Sequence, residues 1–377
     1  MSVWLAIADT IAALIVGFYL FLRLYPPFGD GRRTEARLAA KRRSPQFEAA
    51  GSRGGRFVNT LPSQVSMGFK DSIRIMAEMF KSRKRTKPAK PFAVQTLTAA
   101  QLAAQPGDAA RVVWFGHSAL LLQIGGKTLL LDPMLGKTPS PFPAFGGGRY
   151  GERLPISAGE LPPIDAVLFS HDHYDHLDYG TIRRIKDKVG RFIVPLGVGA
   201  HLVRWGVEPA RISEHQWGEE LEWEGLALAC TPARHFSGRS LNDRDANLWC
   251  SWVIDDGQTR VFFSGDSGYG PHFAEIGERY GPFDLTLMEC GQYDERWAPI
   301  HMMPEETVQA HIDVRGKLLI PIHWGAFSLA LHSWTDPVER AVRAAVERGV
   351  AICTPRIGEI VRLDGHDYPN AAWWREA

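Results

Sequence analysis

The chain predicts a mixed α/β fold with its reactive groups gathered at strand ends, and three observations carry that prediction. Apolar, strand-like runs alternate with helical stretches from about residue 112 to 363, with no linker between them. Four potential metal ligands fall within Ser170-His171-Asp172-His173-Tyr174-Asp175-His176-Leu177-Asp178, directly after the apolar run Ala166-Val167-Leu168-Phe169. The first hundred residues differ in character, opening apolar and turning basic.

Residues 3–9 are apolar except for Asp9, and residues 11–22 carry no charge. About 20 apolar residues cross a bilayer, so residues 1–25 read as a membrane-anchoring helix, with a signal peptide or a buried amphipathic helix as alternatives. No Lys or Arg precedes Arg23, whereas Arg32, Arg33, Arg37, Lys41, Arg42 and Arg43 follow it. That bias puts the catalytic part on the cytoplasmic side, and a signal peptide would carry its positive charge in front.

Residues 26–92 read as a basic linker. Residues 26–31, rich in proline and glycine, break the helix, and 32–60 read as an irregular basic arm. Phe69, Ile73, Met76, Ala77 and Phe80 then recur at helical spacing, with Lys81, Arg83, Lys84, Arg85, Lys87 and Lys90 beyond them. A helix within 67–90 would either lie on an anionic leaflet or pack its apolar face on the catalytic domain.

Residues 93–377 read as one catalytic domain. Helices are expected at 197–205, 271–279, 304–314 and 337–348, each opened by glycine or proline. No internal repeat at a fixed period interrupts them. With 43 basic and 42 acidic residues the net charge is +1, so no nucleic-acid-binding field is expected and no basic track lies near the ligands. The cysteines Cys230, Cys250, Cys290 and Cys353 lack C-x-x-C spacing and read as core residues of a reducing compartment, or as two disulfides in an exported form.

The ligand-rich loop needs partners, because one loop cannot close two coordination shells. His235, Asp266 and His323 each follow an apolar run, respectively Leu226-Ala227-Leu228-Ala229-Cys230-Thr231, Arg260-Val261-Phe262-Phe263 and Lys317-Leu318-Leu319-Ile320-Pro321-Ile322. Imidazole and carboxylate suit a borderline cation such as zinc, and manganese or iron also accept them. Two such cations about 3.5 to 4 Å apart share a hydroxide and neutralise a phosphoryl or acyl transition state. No G-x-S-x-G nucleophile lies near a paired histidine.

Further residues surround this set. Asp132 after Leu129-Leu130-Leu131, and His117, are candidates to hold ligand rings in place; a turn before Pro133 is the other reading of Asp132. Asp172 and Asp178 are expected to face solvent or cap the following helix, and His332 to lie at the surface. His301, ahead of the Pro304-Glu305-Glu306 helix start, is a candidate substrate contact or proton donor, or else a water-exposed loop residue. The proline- and glycine-rich loop 139–150 would present aromatic rings to an acyl chain or pack as a lid. Arg149, Arg239 and Arg244 are candidate phosphate partners or solvated surface residues.

The order HDHYDH at 171–176, His235, Asp266 in SGDSGY and His323 in PIHWGAF resembles the metallo-β-lactamase superfamily over about residues 110 to 364. The stretches RHFSGRSLNDRDANLWCSW, FFSGDSGYGPHFAEIGERYGPFDL and IHWGAFSLALH are similar to N-acyl-phosphatidylethanolamine phospholipase D and its bacterial relatives. The resemblance implies an αβ/βα sandwich of two facing mixed sheets with a metal cleft along one edge. It implies that His171, His173 and His235 hold one ion, that Asp175, His176 and His323 hold the other, and that Asp266 bridges them. It further implies hydroxide attack on a phospholipid phosphodiester, with Asp175 and His301 as catalytic residues. A cytoplasmic lactonase or sugar-phosphate hydrolase of the ascorbate-6-phosphate lactonase type, and a non-catalytic metal-binding membrane protein, stand as alternatives. A homodimer is compatible with all of these.

Overall fold

Strands such as Leu120–Ile124 and Lys127–Leu131 are too continuously apolar to face water on either side, and both are covered on both faces. They belong to one of two seven-stranded sheets in a computed structural model. The structure describes all residues except 1–2, 31–34, 51–53, 64–68, 83–84, 105–108, 143–146, 152, 241, 366 and 377. Arg32, Arg33, Arg83, Lys84 and the centre of the loop 139–150 therefore lie outside the described residues.

In spatial order the first sheet contains Ile360–Arg362, Arg111–Trp114, Leu120–Ile124, Lys127–Leu131, Ile164–Leu168, Val189–Pro195 and Ile212–His215. The second contains Ala351–Ile352, Gly316–Ile322, Phe283–Glu289, Arg260–Phe263, Ser251–Asp255, Leu226–Thr231 and Glu220–Trp223. Each sheet is mixed. Pairing is antiparallel from Ile360–Arg362 to Lys127–Leu131 and parallel from there to Ile212–His215. The second sheet is parallel from Ala351–Ile352 to Arg260–Phe263 and antiparallel beyond. Gly125 and Gly126, at φ 54° and 72°, make the two-residue hairpin before Lys127 that only residues tolerant of positive φ can form.

The main core lies between the sheets, where Leu122, Leu131 and Leu168 meet Trp252, Phe263, Leu287 and Ile320. The helices Tyr179–Ile185 and Gly199–Arg204 cover the outer face of the first sheet through Ile182, Ile185 and Leu202. The helices His272–Tyr280, Pro304–Asp313 and Asp336–Arg348 cover the second through Phe273, Val308 and Ala344. The result is the expected αβ/βα sandwich, with helices close to the predicted bounds. All four cysteines are buried and unpaired.

Two expectations for the N-terminal part change. Residues 32–60 are not irregular: they contain the helix Glu35–Lys41 and the hairpin Phe47–Ala50 with Gly54–Phe57. Phe47 meets Phe57 edge-on at 5.1 Å, and Phe57 is buried in the inter-sheet core with its N–H donated to the Asp245 carbonyl at 2.7 Å. The helix Phe69–Ser82 docks on the rest of the fold through Ile75, which packs on Trp297, Ile300 and Ala330 with Met79 and Phe236 alongside, whereas Ile73 and Ala77 of the predicted apolar face stay exposed. The side chains of Phe69, Met76 and Phe80 lie outside the described residues.

The helix Val3–Leu24 stands apart, with Trp4, Leu14, Ile15 and Phe18 exposed to more than half. Its segment Ile7–Leu24 is long and apolar enough to cross a membrane. The helix ends in a turn, Pro26–Phe28, where Phe21, Tyr25 and Phe28 cluster on Phe142, and the Tyr25 hydroxyl donates to the Pro141 carbonyl at 2.7 Å.

Candidate metal centre

The carboxyl ends of the parallel strands from both sheets open on one edge, and there the predicted residues meet. Ile164–Leu168 leads into the loop of His171, His173, Asp175 and His176. Arg260–Phe263 leads to Asp266 and Gly316–Ile322 to His323, while Leu226–Thr231 leads to His235. A short bridge joins the sheets at this edge: His117 donates its N–H to the Trp324 carbonyl at 2.8 Å, and the His323 N–H returns to the His117 carbonyl at 2.9 Å. His117 and His323 adopt φ of 57° and 67° there, a left-handed backbone that costs a bulky residue roughly 1–3 kcal/mol.

Two groups of ligand atoms result. In the first, His171 Nε2 lies 2.9 Å and His235 Nε2 3.2 Å from His173 Nδ1. In the second, Asp175 Oδ2 lies 3.5 Å from His176 Nε2 and 3.9 Å from His323 Nε2. Asp266 faces both. Its Oδ2 is 3.9 Å from His171 Nε2, 3.8 Å from His235 Nε2 and 3.1 Å from His176 Nε2, and its Oδ1 is 3.0 Å from His323 Nδ1. Every one of these seven residues except the rim pair His173 and Asp175 is buried.

The outer hydrogen bonds decide which way the imidazole lone pairs point. Asp132 Oδ1 accepts the Ser170 N–H at 2.7 Å, and its Oδ2 accepts both the Ser170 hydroxyl and the His176 Nδ1–H, the latter at 2.7 Å. Since the Ser170 proton goes to Asp132, its oxygen accepts from His171 Nδ1 at 2.9 Å. His235 Nδ1 donates to the Ile300 carbonyl at 2.9 Å. Three Nε2 atoms are thus left as bare acceptors aimed inward.

The cage is built to hold positive charge: although burial opposes it, Asp266, Asp175 and Asp132 around His176 raise that imidazole well above its usual range. Burial holds His171, His235 and His323 well below the usual imidazole range, so they are neutral near pH 7. Burial also pushes Asp266 up to about 7, although His176 beside it pulls the other way. Asp266 Oδ1 and His323 Nε2 are buried without a hydrogen-bond partner among the described residues. Unpaired buried acceptors within one cage fit a divalent metal ion.

The surrounding residues divide. His117 donates its Nε2–H to Asp175 Oδ2 at 2.8 Å, beside the cage as expected. His301 is not water-exposed: its Nδ1 contacts Glu289, and its ring lies 5.1 Å from His235 and 5.4 Å from His323. Asp178 caps the helix Tyr179–Ile185. Three expectations need correction. Asp172 does not face solvent; it is fully buried and accepts from Gly238 N–H at 2.9 Å and Asn247 Nδ2 at 2.8 Å. His332 is half-buried, with Nε2 accepting the Gln292 N–H at 2.9 Å and Nδ1 donating to the Ser333 carbonyl. Arg239 is neither solvated nor free for phosphate, because it is buried and its guanidinium is spent on carbonyls. Arg149 likewise donates to the Phe115 and Met134 carbonyls, whereas Arg244 stays exposed over the Phe236 ring, 4.3 Å away.

Glu289 and Asn59 escaped the sequence reading. Glu289 ends the apolar strand Phe283–Glu289 and is fully buried, accepting the Ser267 N–H at 2.8 Å while touching His301. The strand-end rule that marks Asp266 applies to it equally. Asn59 holds the His235 backbone through both its amide atoms, at 2.7 and 3.2 Å, and no local pattern marks it.

Comparison with known proteins agrees with this geometry. The family model for the beta-lactamase superfamily domain matches residues 127–324. An uncharacterized protein of Mycobacterium tuberculosis is 39% identical over 98% of this chain and 98% of its own length. The N-acyl-phosphatidylethanolamine-hydrolyzing phospholipase D 1 of Caenorhabditis elegans is 33% identical over 57% of this chain, which spans 64% of that relative's length. The fold is shared with an isothiocyanate hydrolase from Delia radicum gut bacteria, 20% identical over 67% of this chain and 98% of that one, with a TM-score of 0.53. A cage of imidazoles and carboxylates at the strand ends of a matching sandwich leaves one assignment: the chain belongs to the metallo-β-lactamase superfamily, as a metal-dependent hydrolase.

Proposed function

We propose that this chain is a membrane-anchored phospholipase D-type phosphodiesterase that releases phosphatidic acid from N-acyl-phosphatidylethanolamine-like lipids, with residues 93–377 as its catalytic unit. The observation that carries the lipid reading is the course of the apolar helix. Its 22 residues would span about 33 Å, close to a bilayer's hydrocarbon thickness. The foot of the helix is stacked on Phe142, in the loop whose other end bonds the Ala326 carbonyl beside Phe327, and that ring lies 5.4 Å from His117. A lipid leaving the leaflet along this helix meets the cleft wall directly.

His171, His173 and His235 would hold one divalent cation, and Asp175, His176 and His323 the other, with Asp266 between them. Zinc suits these ligands, as do manganese and iron. When bound, such a pair supplies Lewis acidity to the phosphoryl oxygens and lowers the pKa of a water toward about 7. The protein's own groups do the rest. Asp175, braced by His117, orients the attacking oxygen, while Asp132 and Ser170 keep His171 and His176 turned inward. His301, with Nδ1 engaged by Glu289, has Nε2 left to hold a proton for the departing oxygen. Arg244 at the rim is the arginine available to a headgroup phosphate. The positive charges after Arg23 support a catalytic unit on the cytoplasmic side.

The test is incubation of the full-length protein and its Asp266→Ala form with a total lipid extract, followed by mass spectrometry. Phosphatidic acid and released headgroup amide should rise with the wild type alone. Equal product from both would sink the metal mechanism. A wild type that leaves lipids intact but opens lactones would favour the soluble-substrate alternative.

A further inference from the structure

The loop that carries His171, His173, Asp175 and His176 leans on the foot of the apolar helix, although the two are some 140 residues apart in sequence. Arg239 makes the first connection. Its Nε and Nη2 donate to the Pro27 carbonyl at 3.1 and 2.8 Å, and its Nη1 to the carbonyls of Asp172 and Leu177 at 2.5 and 2.8 Å. One planar guanidinium therefore ties the helix foot to both ends of the ligand loop. Tyr174 and Trp205 sandwich it at 4.1 and 5.1 Å, and the Trp205 Nε1–H donates to the Pro26 carbonyl at 2.8 Å.

His201 makes the second connection. Its Nδ1 accepts the Asp30 N–H at 2.8 Å, which leaves Nε2 to donate to the Asp172 carboxylate at 3.3 Å. Asp172 stands between His171 and His173, and both its oxygens are fully engaged inside the protein. Gly29 presses on this ring: a Cβ there would come within 2.0 Å of His201 Nδ1. The foot is thus fitted to His201 with no room to spare, and displacing the ring displaces Asp172.

The geometry points to a positioning role for the segment Pro26–Asp30: through Arg239 and His201 it sets the conformation of the ligand loop, so that seating the membrane helix and ordering the metal cage are one event. This rests on the metal reading of that cage. It also makes Arg239, His201 and Asp172 parts of the ligand loop's support, with none of them touching substrate.

The test is zinc affinity of the full-length protein in detergent micelles, by competition with a chromophoric chelator. Gly29→Ala should weaken zinc binding about tenfold or more, the range seen when groups behind metal ligands are lost. Gly126→Ala is the control: it puts a side chain at φ 72° with nothing within 4 Å, far from the loop, and its affinity should equal the wild type's. If Gly29→Ala does not fold, Trp205→Phe decides, since it removes the bond to Pro26 while keeping an aromatic ring beside Arg239; severalfold weaker binding supports the role. Wild-type zinc affinity in Gly29→Ala, or in Trp205→Phe in its place, overturns the proposal alone. A wild type that takes up no zinc, manganese or iron overturns the cage reading beneath it.

Discussion

Asp132 shows how much of this centre depends on a single side chain. Its two oxygens receive the Ser170 N–H, the Ser170 hydroxyl and His176 Nδ1, and through Ser170 they also settle the tautomer of His171. Asp132→Asn keeps the volume but replaces an acceptor by a donor against one of these partners. Zinc affinity should fall roughly 10- to 100-fold, measured by chelator competition, with the helical circular dichroism unchanged; an affinity within a factor of two of wild type would refute the assignment. The residues that meet at this edge were legible in the sequence because the cue is local, a His or Asp shortly after an apolar run. Asp172, Arg239 and His332 were misread because their partners, among them Pro27, Asn247 and Gln292, lie far away in the chain. Burial of a charged group is decided by tertiary packing, which residue type alone does not encode.

At the scale of elements, the helices were readable from their proline and glycine openings and the strands from their apolar runs. The hairpin Phe47–Ala50 with Gly54–Phe57 was not, because Phe57 enters the inter-sheet core and donates its N–H to the carbonyl of Asp245, far along the chain. The helix Tyr179–Ile185 is a case where local chemistry suffices. Asp178 Oδ2 accepts the Thr181 N–H at 2.7 Å and its hydroxyl at 2.6 Å, satisfying an N–H that the helix cannot. Asp178→Ala should cost about 1 kcal/mol, read from urea denaturation of the zinc-loaded protein. A midpoint that does not move would mean that the cap contributes nothing.

Across the whole molecule, one of the contributions to the loss of stability in acid comes from a histidine far from the cleft. Burial in the helix Pro304–Asp313 lowers His311 to about 4, and Thr286 shares its Nδ1 at 2.7 Å. Above pH 6.5 the ring is neutral in both folded and unfolded chains, so its contribution is complete there. As pH falls from 6.5 toward 4 the unfolded chain takes up a proton that the folded one refuses, and stability drops by at most about 3 kcal/mol. His311→Gln should flatten that part of the stability curve; a wild type and variant declining in parallel would exclude the residue as the cause. The class of fold was visible in the sequence, yet how the two sheets meet was not, since the backbone bridge between His117 and Trp324 depends on closure of the entire sandwich. That bridge has a developmental consequence. Of the seven candidate ligands only His323 lies in the last fifth of the chain, so a nascent chain lacking that part holds the first group of donors but neither the second group complete nor the bridge that closes the two halves. On the proposed reading, filling of the second site would therefore wait for the C-terminal strand, and cation starvation should leave a folded protein whose halves part more easily than those of the metal-loaded form.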